Sequence, residues 1–155
     1  MAGNTDPIYS RSGDIQSHSL AAATLLGPTA NTAQDGTGTI YPIWTADATN
    51  GGFLQRLVCD CIGIPAATVM RVYISNTVPT VTSGALVSNT SLNTWKIVET
   101  ALPNVTAVSQ TAATAHIEVP INMAIPAGFK VSVSFGTASG AATSGWSVVG
   151  IGGKY

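Results

Sequence analysis

From His116 to Met123 the chain alternates without a break: Ile117, Val119, Ile121 and Met123 on one side, His116, Glu118, Pro120 and Asn122 on the other. Side chains two residues apart share a face only on an extended strand. This stretch therefore predicts a strand with one dry and one wet face, and Pro120, which has no N–H to donate, predicts an edge or a bulge. Phe129–Phe135 repeats the pattern, with Phe129, Val131, Val133 and Phe135 against Lys130, Ser132 and Ser134.

The same period recurs upstream. Thr39–Thr45 reads as a strand, and its Pro42 again argues for an edge or bulge. In 53–62, Phe53, Leu57, Cys59 and Cys61 share one face, while Arg56 and Asp60 mark the other as wet. In 68–75, Met70, Val72 and Ile74 point inward and Arg71, Tyr73 and Ser75 outward. Residues 95–102 form a weaker strand with neither face cleanly apolar, and 146–151 form the last. Turn-forming residues separate the strands, among them Asn50-Gly51-Gly52, suited to a tight reversal. Residues 76–94 and 104–114 read as long polar connections, the kind that often carry function. Seven short strands without a long helix predict an all-β chain: a single antiparallel β-sandwich or jelly-roll-like domain over 37–155.

Residues 1–36 lack sustained alternation and hold only isolated larger groups such as Ile8, Tyr9, Leu20 and Leu25. They read as an extended N-terminal arm or irregular lead-in. Three readings stay open: a tail, an arm that orders by laying Ile8 and Tyr9 on a neighbour, or a first strand of the domain.

Charge narrows the function. Only 8% of the 155 residues are charged, with a net charge of −1, against roughly 25% in ordinary soluble domains. A surface with so few charges is expected to be largely covered in an assembly. The six basic residues are scattered, so neither a nucleic acid nor an anionic membrane is expected as a partner. No apolar run is long enough to span a bilayer, and the first residues carry no signal-peptide pattern, which predicts synthesis in a cytoplasm.

Chemistry-bearing residues are sparse. His116 and Glu118 would share a face and offer two corners of a metal site, with no third ligand nearby in sequence; a solvated polar face is the stronger reading. No nucleophile elbow or phosphate loop is present. The chain is thus expected to be no enzyme and to use no cofactor or metal. Cys59 and Cys61 leave two readings open: small half-buried apolar groups, or thiols that bond to another copy across an interface. Trp44, Trp95, Trp146 and the tyrosines are candidates for stacking on sugars, or for filling a core.

The run Thr29–Thr39, the Thr45–Gly52 turn, the strand 67–76, Pro126-Ala-Gly-Phe-Lys130 and the closing Ala142-Thr-Ser-Gly-Trp146 through Tyr155 resemble a family of small structural proteins of tailed bacteriophages, of the head decoration or cement type. The resemblance implies a virion protein on the capsid surface that contacts the major capsid protein and copies of itself, with a homotrimer favoured. It implies that the arm, with Ile8, Tyr9 and Arg11, reaches onto the capsid. A carbohydrate- or receptor-binding module of a phage tail or fibre is the alternative.

Overall fold

The structure is a computed structural model, and it describes residues 12–18, 25–111, 113–140 and 143–155. It is an antiparallel β-sandwich. One sheet, sheet A, orders β1 (Ser12–Ser17), β10 (Gly145–Lys154), β3 (Gly52–Ile62) and β8 (His116–Ile125). Facing it, sheet B orders β2 (Tyr41–Thr45), β9 (Lys130–Phe135), β4 (Thr68–Ser75) and β7 (Thr94–Leu102). A small hairpin, β5 (Thr80–Thr82) and β6 (Ala85–Val87), interrupts the connection from β4 to β7.

Both prolines lie where a missing N–H does least harm. Pro42 is on β2, an edge of sheet B, beside a register shift, and Pro120 is on β8, an edge of sheet A. In the turn before β3, the Asp47 carboxylate accepts from the N–H groups of Thr49 and Asn50, and Gly51 takes the left-handed φ of 81°.

The core lies between the sheets. Trp44, Leu57, Met70, Phe135, Trp146 and Val148 from five different strands and both sheets meet there with no exposed surface. Fully burying each aliphatic or aromatic side chain contributes roughly 1.5–3 kcal/mol. The two indole N–H groups find no partner among the described residues, a cost of roughly 1–3 kcal/mol each that the buried ring area offsets.

One of the readings left open for residues 1–36 is met, and two expectations need correction. Ser12–Ser17 forms a first strand, β1, paired along its whole length with β10. Its pairing is backbone to backbone, so alternation could not reveal it. Leu54, not Phe53, points into the core, because the pairing of β3 shifts register between Leu54 and Arg56. The extra residue, Gln55, places Leu54 and Leu57 on the same side. Finally, the face of β4 expected to be wet is buried. Residues 27–40 cross the outside of sheet B, where the Asn31 carbonyl accepts from Arg71 at 2.9 Å, and Ile40, Tyr73 and Leu86 form a second small core. The Arg71 guanidinium also bonds Glu99 at 3.0 Å. Among the described residues, the central strands of sheet B, β4 and β9, are thus covered on both faces by their own chain.

Candidate functional site

The residues singled out in the sequence come first. Ile8, Tyr9 and Arg11 lie outside the described residues. Cys59 and Cys61, raised as thiols that could bond another copy, instead point inward from β3 and are buried and unbonded. The Cys59 thiol lies 3.7 Å from the Met70 sulfur, and burial, with the Asp60 charge adding to it, pushes it up to about 12. Burial also raises the Cys61 thiol, whose sulfur donates to the Gly63 carbonyl at 3.4 Å. A bond to a neighbouring copy would require the core to open first.

The densest polar group is on the outer face of sheet A, at the β3–β8 pairing. His116 Nδ1 and Asp60 Oδ1 are 2.6 Å apart, His116 Nε2 is 3.9 Å from Glu118, and Glu118 is 3.6 Å from Arg56. The hydrogen bond and charge of Asp60 hold the His116 imidazolium above its usual range. The whole group stands in water, about half of each His116, Asp60 and Glu118 side chain being exposed. Side chains so exposed give a proton transfer little gain from desolvation. No three His, Cys, Asp or Glu side chains among the described residues are placed to hold a metal ion. His18 follows β1, its ring 5.1 Å from that of Tyr41, and burial lowers its pKa.

Of the aromatic candidates, Tyr9 lies outside the described residues, and Tyr41 and Tyr155 are half-buried. Trp44, Trp146 and Tyr73 are core groups with no exposed area, whereas Trp95 on the edge strand β7 is 46% exposed.

Apolar exposure is unevenly distributed. Nine large apolar side chains are exposed among the described residues, and five of them, Val78, Val81, Val87, Leu92 and Trp95, fall within 78–95. Leu92 is the extreme at 85% exposed. Its turn is tightly braced. The Thr90 carbonyl accepts from the N–H groups of Asn93 and Thr94, and the Thr90 N–H donates to Asn93 Oδ1 at 2.8 Å. The Asn93 amide donates to the Ser88 carbonyl, and the Asn89 amide donates to the carbonyls of Gly36 and Gly38.

A second feature lies at the open edge between the sheets. A cleft of about 450 Å³ runs between β1, β2 and the β5–β6 hairpin, walled by Ile15, Pro42, Ile43 and Val81. Its remaining lining, Gln16, Ser17 and Thr45, is polar but uncharged. Gln16 holds the cleft's floor together: its amide donates to the Thr45 carbonyl and accepts from the Thr45 N–H, both at 2.9 Å. Ile15, Val81 and Leu92 escaped the sequence reading because each is a lone apolar residue in a Thr/Ser/Gly-rich stretch, and the only signal was its isolation. No family model, curated protein or solved structure matches the chain.

Proposed function

We propose that this chain is a structural virion protein that decorates or cements a bacteriophage capsid, binding the major capsid protein and neighbouring copies of itself without catalysing a reaction. The observation that carries this reading is the concentration of exposed apolar groups in 78–95, displayed on a hydrogen-bonded scaffold in a chain with few charges. Exposed apolar groups that join into one patch mark contact sites, and these five share one segment of the chain. A second support is the strand order. Chain-consecutive strands β1 to β4 alternate between sheets, β7 follows β4 in sheet B, and β8 to β10 alternate again. We read this as a jelly roll, an architecture that recurs in viral capsid and lectin domains, and the support is by fold-level analogy.

On this reading the protein acts by area shared with its neighbours, many weak contacts adding up across a lattice. The test is the composition of purified particles. The chain is expected in the head fraction at a fixed ratio to the major capsid protein, and particles lacking it are expected to lose their contents sooner on warming. Its absence from heads, or its recovery only with tails, would overturn the reading. The arm is tested by removing residues 1–11, which stops short of β1. Attachment to heads is expected to fall, and unchanged occupancy would remove the arm from the account.

The exposed ring of Trp95 favours one alternative, a carbohydrate-binding module of a tail or fibre. That alternative predicts heat release on titration with host surface polysaccharide, abolished by Trp95→Ala.

A further inference from the structure

We infer that Arg71 and the open well beside it form a binding site for a single carboxylate group, borne by a small molecule or by an acidic side chain. The site is separate from the apolar groups of 78–95, and the inference goes beyond the assembly reading without depending on it.

Arg71 is almost wholly enclosed, with 9% of its side chain exposed. A guanidinium carries five N–H donors and keeps its charge. Nε donates to Glu99 at 3.0 Å and Nη1 to the Asn31 carbonyl at 2.9 Å, while Nη2 donates to no acceptor among the described residues. Glu99 does not turn to cover it, because Lys96 Nζ holds the second Glu99 oxygen at 3.1 Å. Buried donors are paired with few exceptions, which makes Nη2 a candidate donor to a ligand.

The room for a ligand is beside it. The segment that crosses sheet B caps Arg71 at Asn31, whose own N–H donates to the Phe135 carbonyl. One row further along the same face come Ala101, Val69 and Gly136: Val69 pairs with Ala101, and its carbonyl accepts from the Gly136 N–H at 2.9 Å. Ala101 is exposed there, and Val69 and Gly136 are half-buried. These small groups leave a well of about 410 Å³, lined also by Arg71, Thr68 and Thr137. Nη2 meets the well at Gly136, where a Cβ would lie 3.2 Å from it. The Thr68 hydroxyl donates to the Thr137 carbonyl at 3.0 Å and accepts from the Thr137 N–H at 3.1 Å, so this wall is fixed before anything binds.

Charge and shape select the occupant. Arg71 and Lys96 against Glu99 leave one positive charge in excess, and no other charged side chain lines the well. That excess balances a monoanion. A carboxylate presents its oxygens to the guanidinium fork in charge-assisted hydrogen bonds, and Val69 and Ala101 receive the carbon that carries it. A dianionic phosphate would bring its extra charge against the Glu99 carboxylate.

The test follows backbone amides by NMR while the full chain is titrated with sodium acetate at constant ionic strength. The amides of Val69, Gly136 and Thr137 are expected to shift together and saturate with a Kd on the order of 1 mM, within reach of a ligand of so few atoms. Sodium chloride is expected to leave them in place, and dianionic phosphate to bind more weakly than acetate. A Gly-Glu-Gly peptide blocked at both ends, with Gly-Gln-Gly as control, separates the two sources. Tighter binding than acetate assigns the site to an acidic side chain, and equal or weaker binding assigns it to a small molecule. Arg71→Lys keeps the charge but loses the fork, and is expected to abolish binding. Because Arg71 also holds the crossing segment, Gly136→Ala is the cleaner variant. The Gly136 φ is not left-handed, so alanine fits the backbone, and its methyl presses on Nη2 without touching the bonds to Glu99 and Asn31. It is expected to abolish the saturable shifts with circular dichroism unchanged. Shifts that are absent, that never saturate, that scatter over the surface or that survive Gly136→Ala would overturn the proposal. Phosphate or Gly-Gln-Gly binding as tightly as its carboxylate counterpart would do the same.

Discussion

At the scale of single residues, Trp44 leaves no room for side chains on the glycines packed against it. A Cβ on Gly52 would lie 2.7 Å from the Trp44 ring and 2.6 Å from the Gly153 carbonyl oxygen, and one on Gly150 would lie 3.0 Å from Trp44 Cβ. Gly52→Ala is expected to destabilise by about 1–3 kcal/mol through overpacking, and Trp44→Ala by about 3–5 kcal/mol through the cavity it leaves, both read from urea unfolding midpoints. The two histidines give a paired prediction. Asp60 raises the pKa of His116 and burial lowers that of His18. Proton NMR is therefore expected to show one imidazole titrating above 6.5 and the other below, with His116→Gln removing the higher transition. The signs for stability are opposite. His116 stabilises most below its unfolded pKa of about 6.5, and that contribution is lost as pH rises through its folded value. His18 costs stability as pH falls below about 6.5, because the unfolded chain then binds the proton more readily. The partnership of Asp60 and His116 was not legible in the sequence, where the two are 56 positions apart; only the β3–β8 register brings them together.

At the scale of elements, the edges of the sandwich are where sequence and structure part. The strands with a strong period-two pattern were legible with little error: 68–75 matches β4 end to end, and the pattern starting at His116 runs on only to Ile125. β1 was not, since Ser-Gly-Asp-Ile-Gln-Ser has one large apolar residue and the fold leaves it exposed. β5 and β6, three residues each, are too short to show a period. What fixes β1 beside its backbone pairing is Gln16, whose amide substitutes for a strand neighbour at Thr45. Gln16→Ala leaves the Thr45 N–H and carbonyl without that partner, and a loss of about 1–2 kcal/mol is expected. Hydrogen exchange is the sharper measurement: the Thr45 amide is expected to lose protection while those at the centre of β3 keep theirs. Equal loss everywhere would mean that Gln16 supports the whole fold and not the β1–β2 edge.

At the scale of the whole molecule, burial rather than charge holds the sandwich. Of the ion pairs among the described residues, Arg71–Glu99 and Lys154–Asp14 each have one largely shielded partner, Arg71 and Asp14, and the others are partly or mostly exposed. Exposed pairs contribute about 0–1 kcal/mol each and weaken with salt. The urea midpoint is therefore expected to stay constant or rise slightly between low and high sodium chloride, and a marked fall would show that charge carries more of the stability than its exposure suggests. The low charge and the two-sheet architecture were both legible in the sequence. The cover over sheet B was not, because it depends on residues 27–40 crossing strands that lie far along the chain, and no local pattern encodes that crossing.

The interior placement of the two thiols has a practical side. Alkylating reagents consume thiolate, which burial suppresses most strongly in Cys59, the fully buried thiol. Labelling of Cys59 on the native protein must then wait for the sandwich to part between β3 and β4, where its thiol meets Met70. The chain carries its own clock for that opening, read by mass spectrometry without adding a probe. Run on free chains and on assembled ones, the clock would measure how far a neighbour slows the breathing of the domain.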